Sequence, residues 1–293
     1  MRAMTTRVLF ATDGRAPATA AGDVLRGLAA PEHVAVTILH AAEYGNRLVA
    51  DRCAQEILDQ AQVGFAKAGF ETCTVRGDDD PVTCIEKLSA DEPFALTVVG
   101  AGNHTWLSRL IFGSVGIHLI HHSTIPSLVV HRVSDPAHER LHVLIGVDGS
   151  AAAQAAMDTL LAVTRTDLVD LFTVGVVQPP DLAVMAYPGA AYVPSQLAGE
   201  MLDERRSAGE RHVREAIERL HERGYEASAR TDQGSPSVVL LDEAARVAAD
   251  VVVVGARGLG GFARLAVGSA SAHVARHAPA TLVGHAGHPS TEP

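Results

Sequence analysis

The residues best placed to do chemistry are arranged to hold an anion. The stretch GARGLGGFARLAVGS, Gly255 to Ser269, follows a run of four valines and carries five glycines in fifteen residues. Its frame is Gly255-x2-Gly258-x9-Gly268-Ser269. Glycine just past a buried strand lets the backbone turn sharply or approach a ligand closely. Gly268 and Ser269 open the next helix, where free backbone N–H groups and the positive end of the helix dipole favour phosphate. The serine hydroxyl can cap that helix or donate to a phosphate oxygen. Arg257, beside Gly258, can reach a phosphate or pair with a surface acid. On spacing alone the stretch reads equally as a phosphate cradle and as a connector with a serine cap.

The frame occurs twice. GAGNHTWLSRLIFGS, Gly100 to Ser114, has the same length with different filling, and Asn103 stands where the second glycine would be. Asparagine tolerates left-handed backbone, but its side chain takes space where backbone would meet phosphate. Upstream, RVLFATDG from Arg7 matches HVLIGVDG from His142, which pairs Asp13 with Asp148. The offset between copies grows from 135 to 155 residues, so the second copy holds 20 extra residues, placed at about 178–197. Two copies at this period mean tandem domains, 1–134 and 141–293, joined by a polar linker at 135–140. The insert carries four prolines and is a lid, a contact surface or a disordered excursion.

The elements that must position these groups repeat as well. Each copy reads strand, Asp-Gly, Ala-rich helix, strand, long helix, strand, helix, strand, glycine loop, helix, strand. In copy one the strands are Val8–Ala11, Val34–His40, Thr72–Arg76, Ala95–Val99 and Ser127–His131. The helices are Ala16–Ala29, Asn46–Ala68, Pro81–Ser89 and Gly113–His122. The long helix shows an apolar stripe at Ala54, Ile57, Leu58, Ala61, Phe65 and Ala68; its counterpart carries Val213, Ala216, Ile217 and Leu220. Such alternation predicts an α/β fold, two open-twisted five-stranded parallel sheets of Rossmann-like type with helices on both faces. VVVVG and LTVVG are continuous apolar runs, as strands buried on both sides require. Ligands bind such sheets beyond the carboxyl ends of the strands, where strand order reverses. Both Asp-Gly turns and both glycine loops belong there.

Composition narrows the function classes. A net charge of −10 argues against nucleic acid as a partner. The densest basic stretch, Arg205 to Arg230, is interleaved with glutamates and reads as a solvated helix face. Cys53, Cys73 and Cys84 are too few and too scattered for a disulfide framework or a zinc site, and suit a reducing cytosol. No segment has the apolar length of a membrane span or a secretory leader, so the expected location is cytoplasmic. No Walker loop or nucleophile elbow occurs. The only lysines are Lys67 and Lys87, and Asp13 and Asp148 each stand without a second carboxylate. If the loops are a phosphate cradle, the arrangement suits holding a ligand, with at most slow turnover. His118 and His122, matched by His273 and His277, have i,i+4 spacing but no carboxylate beside them in sequence, and read as structural rather than metal-binding. Trp106, inside the first glycine loop, reads as a loop anchor.

The doubled frame, the Asp-Gly after the first strand and the strand pattern resemble the universal stress protein family, in its tandem, actinobacterial-type form, over nearly all of the 293 residues. The resemblance implies an adenine nucleotide alpha hydrolase-like fold and a role in stress sensing or signalling. Its ATP-binding members carry the G-x2-G-x9-G-S/T spacing. By that likeness Gly255, Gly258, Gly268 and Ser269, with the Ala270 backbone, would hold ribose and phosphates of ATP, with or without Mg2+ or Mn2+. Asp148 and the Val174 backbone would meet the adenine, and Gly146 and Val147 would line the ribose side. The corresponding positions in copy one are Ala11, Thr12, Asp13, Ala41, Gly100, Asn103, Gly113, Ser114 and Val115, with Ala41 matched to Val174. The expectation is ATP bound chiefly in copy two, with a weaker or altered site in copy one. The alternatives are a ligand-free interaction module, a slow ATP hydrolase, and a binder of AMP or cyclic AMP. The family trait of pairing through last strands implies a homodimer or a pairing of Ser127–His131 with Thr281–His285 within the chain, besides a signalling partner. Gly284 counts against the internal pairing.

Overall fold

The computed structural model describes residues 5–41, 47–102, 113–132, 139–178, 195–258 and 267–286. The first half runs β1 (Thr6–Ala11), α1 (Ala16–Leu28), β2 (Val34–Ala41), α2 (Arg47–Lys67), β3 (Glu71–Gly77), α3 (Pro81–Asp91), β4 (Leu96–Gly100), α4 (Ser114–His122) and β5 (Ser127–Val130). The second half repeats it as β6 (Leu141–Val147), α5 (Ala151–Val163), β7 (Val169–Val177), α6 (Ser195–Glu222), β8 (Ala227–Gln233), α7 (Pro236–Arg246), β9 (Val251–Gly255), α8 (Ser269–His277) and β10 (Ala280–Gly284).

The strands form one ten-stranded sheet in the order β3-β2-β1-β4-β5-β10-β9-β6-β7-β8. Each half is parallel, and the halves meet at β5 and β10, an antiparallel pair in which Leu282 stands opposite Leu128. The two last strands therefore do pair within the chain, and Gly284 does not prevent it. Its role is packing. A β-carbon at 284 would stand 2.4 Å from the Ala156 backbone nitrogen, because α5 crosses β9 and β10 at this point. Only glycine allows so close an approach.

Helices α1, α2, α5 and α6 cover one face and α3, α4, α7 and α8 the other, as the two apolar clusters show. Val8 and Phe10 look into the first, Leu9 into the second, which is the period-2 alternation of a strand buried on both sides. Phe10, Phe65 and Phe70 meet edge to face, with ring centroids 5.4 and 5.6 Å apart. Each fully buried Leu, Ile or Phe contributes about 1.5–3 kcal/mol.

The apolar stripe of α2 is as expected at Ala54, Leu58 and Phe65, which are buried, and at Ile57 and Ala61, which are half-buried. Ala68 is exposed instead. The helix ends at Lys67, and the Phe70 N–H turns back to the Phe65 carbonyl at 3.1 Å, lifting residue 68 off the sheet. Among the described residues no helix is long and apolar enough to cross a membrane.

Candidate functional site

Within each half the chain winds outward from its first strand, returns, and continues on the other side. The order reverses between β1 and β4, and again between β6 and β9. The crevice beyond the carboxyl ends at such a point is where an α/β sheet takes its ligand. The antiparallel seam points the two crevices in opposite directions along the strands.

The Asp-Gly turns close β1 and β6. Gly14 and Gly149 have φ of +74° and +78°, a left-handed conformation that glycine adopts without penalty. Asp13 Oδ1 accepts the Arg15 N–H, and Asp148 Oδ1 accepts the Ser150 N–H, both at 2.9 Å. Each aspartate thus stabilises its own turn, which keeps the other carboxylate oxygen at the strand exit. Ser150 then caps α5, accepting the Ala153 N–H at 3.2 Å.

The glycines of the two loops divide by role. A β-carbon at Gly100 would stand 2.3 Å from the Pro17 carbonyl carbon, and one at Gly255 would stand 2.5 Å from the Ala153 nitrogen. These two glycines let α1 and α5 begin against the strand ends; they serve packing. Among the described residues nothing lies within 4 Å of a β-carbon at Gly102, and a β-carbon at Gly113 would stand 3.0 Å from the Gly102 nitrogen. In the second half a β-carbon at Gly258 would stand 2.5 Å from Asp148 Oδ2, and the Gly268 N–H bonds the Ala256 carbonyl at 2.7 Å. So Asp148, Gly258 and Gly268 converge, as do Asp13, Gly102 and Gly113. Asn103, Trp106 and nearly all of the insert lie outside the described residues.

Neither serine is a cap. Gly113 and Gly268 occupy the N-cap positions of α4 and α8 and supply no side chain. Ser114 and Ser269 are the first helical residues and are exposed. The first-turn amides of an α-helix have no partner within the helix, so both ends offer donors toward the crevice. Val115 and Ala270 follow in that first turn. Arg257 is exposed beside Gly258, and its counterpart is Gly102.

In the first half these parts enclose a cavity of about 430 Å³. Ala11, Thr12, Asp13, Ala41, Gly100, Gly113, Ser114 and Val115 all line it. His40, Cys53 and Asp80 line it too, and sequence reasoning missed them. His40 Nδ1 donates to the Thr12 carbonyl at 2.8 Å. Asp80 caps α3, accepting the Val82 and Thr83 N–H groups and the Thr83 hydroxyl. The Thr83 hydroxyl and these amides hold its carboxyl below the usual range. The readable signal was Asp80 before Pro81, an N-cap followed by a first-turn proline at a strand exit.

The ladder corrects one correspondence. Ala11 pairs with Leu39 and Gly146 with Val174, so Val174 matches Leu39, while Ala41 matches Val176. Leu39 and Ala41 both line the first cavity, which makes Val174 and Val176 matched positions in the second half.

The histidines are also partly reassigned. Glu86 of α3 accepts from His118 Nε2 at 2.7 Å, a carboxylate that the sequence spacing did not reveal. The His118 and His122 rings lie 4.9 Å apart, and those of His273 and His277 lie 4.2 Å apart. Among the described residues no group of three or more potential metal ligands forms.

The sequence model of the Universal stress protein family matches this chain twice, over residues 4–131 and 139–283. A Mycolicibacterium smegmatis universal stress protein is 31% identical over 194 residues, 65% of this chain and 61% of its own. A universal stress protein of Mycobacterium tuberculosis is 30% identical over 247 residues, 82% of this chain and 76% of its own. The chain thus spans about three fifths to three quarters of the length of these relatives. A solved universal stress protein from Archaeoglobus fulgidus superposes with a TM-score of 0.64, covering 96% of this chain and 98% of its own at 19% identity, which shows a shared fold. The chain belongs to the universal stress protein family.

Proposed function

We propose that this protein binds adenine nucleotide at the carboxyl ends of its half-sheets, holds ATP chiefly in the second half, and transmits occupancy to a partner in stress adaptation. One observation carries the reading. Residues chosen from the doubled frame and the family resemblance, far apart in sequence, line a single cavity in the first half, and its volume of about 430 Å³ suits a small ligand. The second half keeps the same frame with glycine at 258 and adds Arg257 beside the loop. The ligand chemistry is that of a helix N-terminus plus glycine amides for phosphate, and an aspartate at the strand exit for the base or ribose.

The test is recovery of ligand. Native mass spectrometry of the purified chain, and chromatography of what is released on denaturation, should show adenine nucleotide after incubation with ATP. A chain that retains none under these conditions would be an interaction module whose glycines shape loops.

A further inference from the structure

We infer that the first half completes the site of the second: His131, just past the end of β5, is a positioning residue for the phosphate-facing helix α8, and Ser271 holds the same helix near its other end. This rests on the nucleotide reading above and adds which residues set the affinity of the second crevice without touching its ligand.

The need for an outside partner begins in the sequence. In a continuing helix the Ala275 carbonyl would accept from the N–H four residues on, but residue 279 is proline and has none. Ala275 is fully buried, so bulk water does not serve this carbonyl either. The carbonyl before it, of Val274, takes the Ala278 N–H at 2.9 Å. The Ala275 carbonyl instead takes His131 Nε2–H at 2.7 Å. A carbonyl only accepts, so Nε2 carries the proton, and burial pushes the ring pKa down toward that neutral donor. The same segment adds backbone bonds. The His131 and Arg132 N–H groups meet the Pro279 carbonyl at 2.9 and 3.3 Å. The first half thus grips the C-terminal end of α8.

The opposite end is tied to its own strand. The buried Ser271 hydroxyl donates to the Gly255 carbonyl at 2.6 Å, and the Gly268 N–H donates to the Ala256 carbonyl at 2.7 Å. Gly255 closes β9, so the strand that leads into the glycine loop and the helix that follows it are joined. Helix α8 has only nine residues, about 13 Å of length. So short a helix moves as one body, and a bond lost at its far end shifts the first-turn amides at the near end. Those amides bind phosphate well only when held together at hydrogen-bond distance from it. The first half differs at both matched positions. Gly116 stands in the place of Ser271 and has no hydroxyl, and Ile120, matched to Ala275, is followed four residues on by Thr124 rather than proline. The two ties therefore belong to the second half.

The experiment is calorimetric titration of the full chain with ATP, with melting temperatures measured alongside. His131→Leu removes the donor and should weaken ATP binding about fivefold. His131→Gln keeps a donor and should bind within about twofold of wild type. Ser271→Ala should also weaken binding about fivefold, and it carries the test if His131→Leu fails to fold. With Gly258→Val already present to block the second crevice, His131→Leu should leave the remaining ATP affinity unchanged. Melting temperatures that fall in His131→Leu and Ser271→Ala while the dissociation constants stay at the wild-type value overturn the inference. So does a fivefold loss that persists in the Gly258→Val background. If the wild type itself binds no ATP, the nucleotide reading falls and this inference falls with it.

Discussion

Gly258 lies directly against Asp148: a β-carbon at residue 258 would stand 2.5 Å from Asp148 Oδ2. Two segments more than a hundred residues apart in sequence therefore meet at the strand exit of β6. The contact separates two kinds of glycine within one motif. Gly255 is constrained by the backbone of α5, while among the described residues Gly258 meets a side chain, that of Asp148, which can move.

Gly255→Ala and Gly258→Ala should consequently differ in kind. The first forces a methyl group against the Ala153 nitrogen and should cost about 1–3 kcal/mol of stability through overpacking. The second should leave the urea midpoint nearly unchanged and weaken ATP binding. Denaturation curves of both variants check this, and equal destabilisation would contradict the division of roles.

Gly284→Ala should destabilise for the same reason as Gly255→Ala, because its β-carbon would stand 2.4 Å from the Ala156 nitrogen. The expected loss is again about 1–3 kcal/mol. It should occur without any change in ligand affinity, which separates packing at the seam from chemistry in the crevice.

Ser150 couples the Asp148 turn to α5 through its bond from the Ala153 N–H. Ser150→Ala should cost about 1 kcal/mol, and Ser150→Asp, another good cap, should restore most of it. Equal melting temperatures for Ser150→Ala and wild type would remove the cap from the account.

Acid should weaken the seam. His131, just past β5, donates from Nε2 to the Ala275 carbonyl at 2.7 Å, and burial pushes its pKa below the ordinary 6.5. The unfolded chain then binds the proton more readily than the folded one. This contribution is fully present above the unfolded pKa and is lost as pH falls below it, through the window down to the folded value. His131→Gln should flatten the fall in melting temperature between about pH 7 and about pH 5. An identical pH profile in the variant would place the acid sensitivity elsewhere.

The parts legible in the sequence were those set by local pattern. VVVVG and the Asp-Gly turns fixed strand ends within a residue or two, and the repeat supplied the architecture. The cavity residues Asp13, Gly113 and Ser114 were found because helix N-termini and glycines carry local signals. What escaped depends on packing between distant segments. The role of Gly100 is set by the Pro17 backbone, the partner of His118 comes from α3, and the match of Ala41 to Val176 needed the ladder register. Asp80 before Pro81 carries a local cap signal, but nothing local shows that its helix opens into the crevice.

The central claim is that the phosphate loop of the second half holds ATP, and thermal denaturation of wild type and Gly258→Val, with and without ATP and Mg2+, tests it most directly. A side chain at 258 should displace Asp148 and occupy the approach to the loop while leaving the fold intact. ATP is predicted to raise the melting temperature of the wild type and to raise that of Gly258→Val much less. An equal shift in both proteins would contradict the assignment.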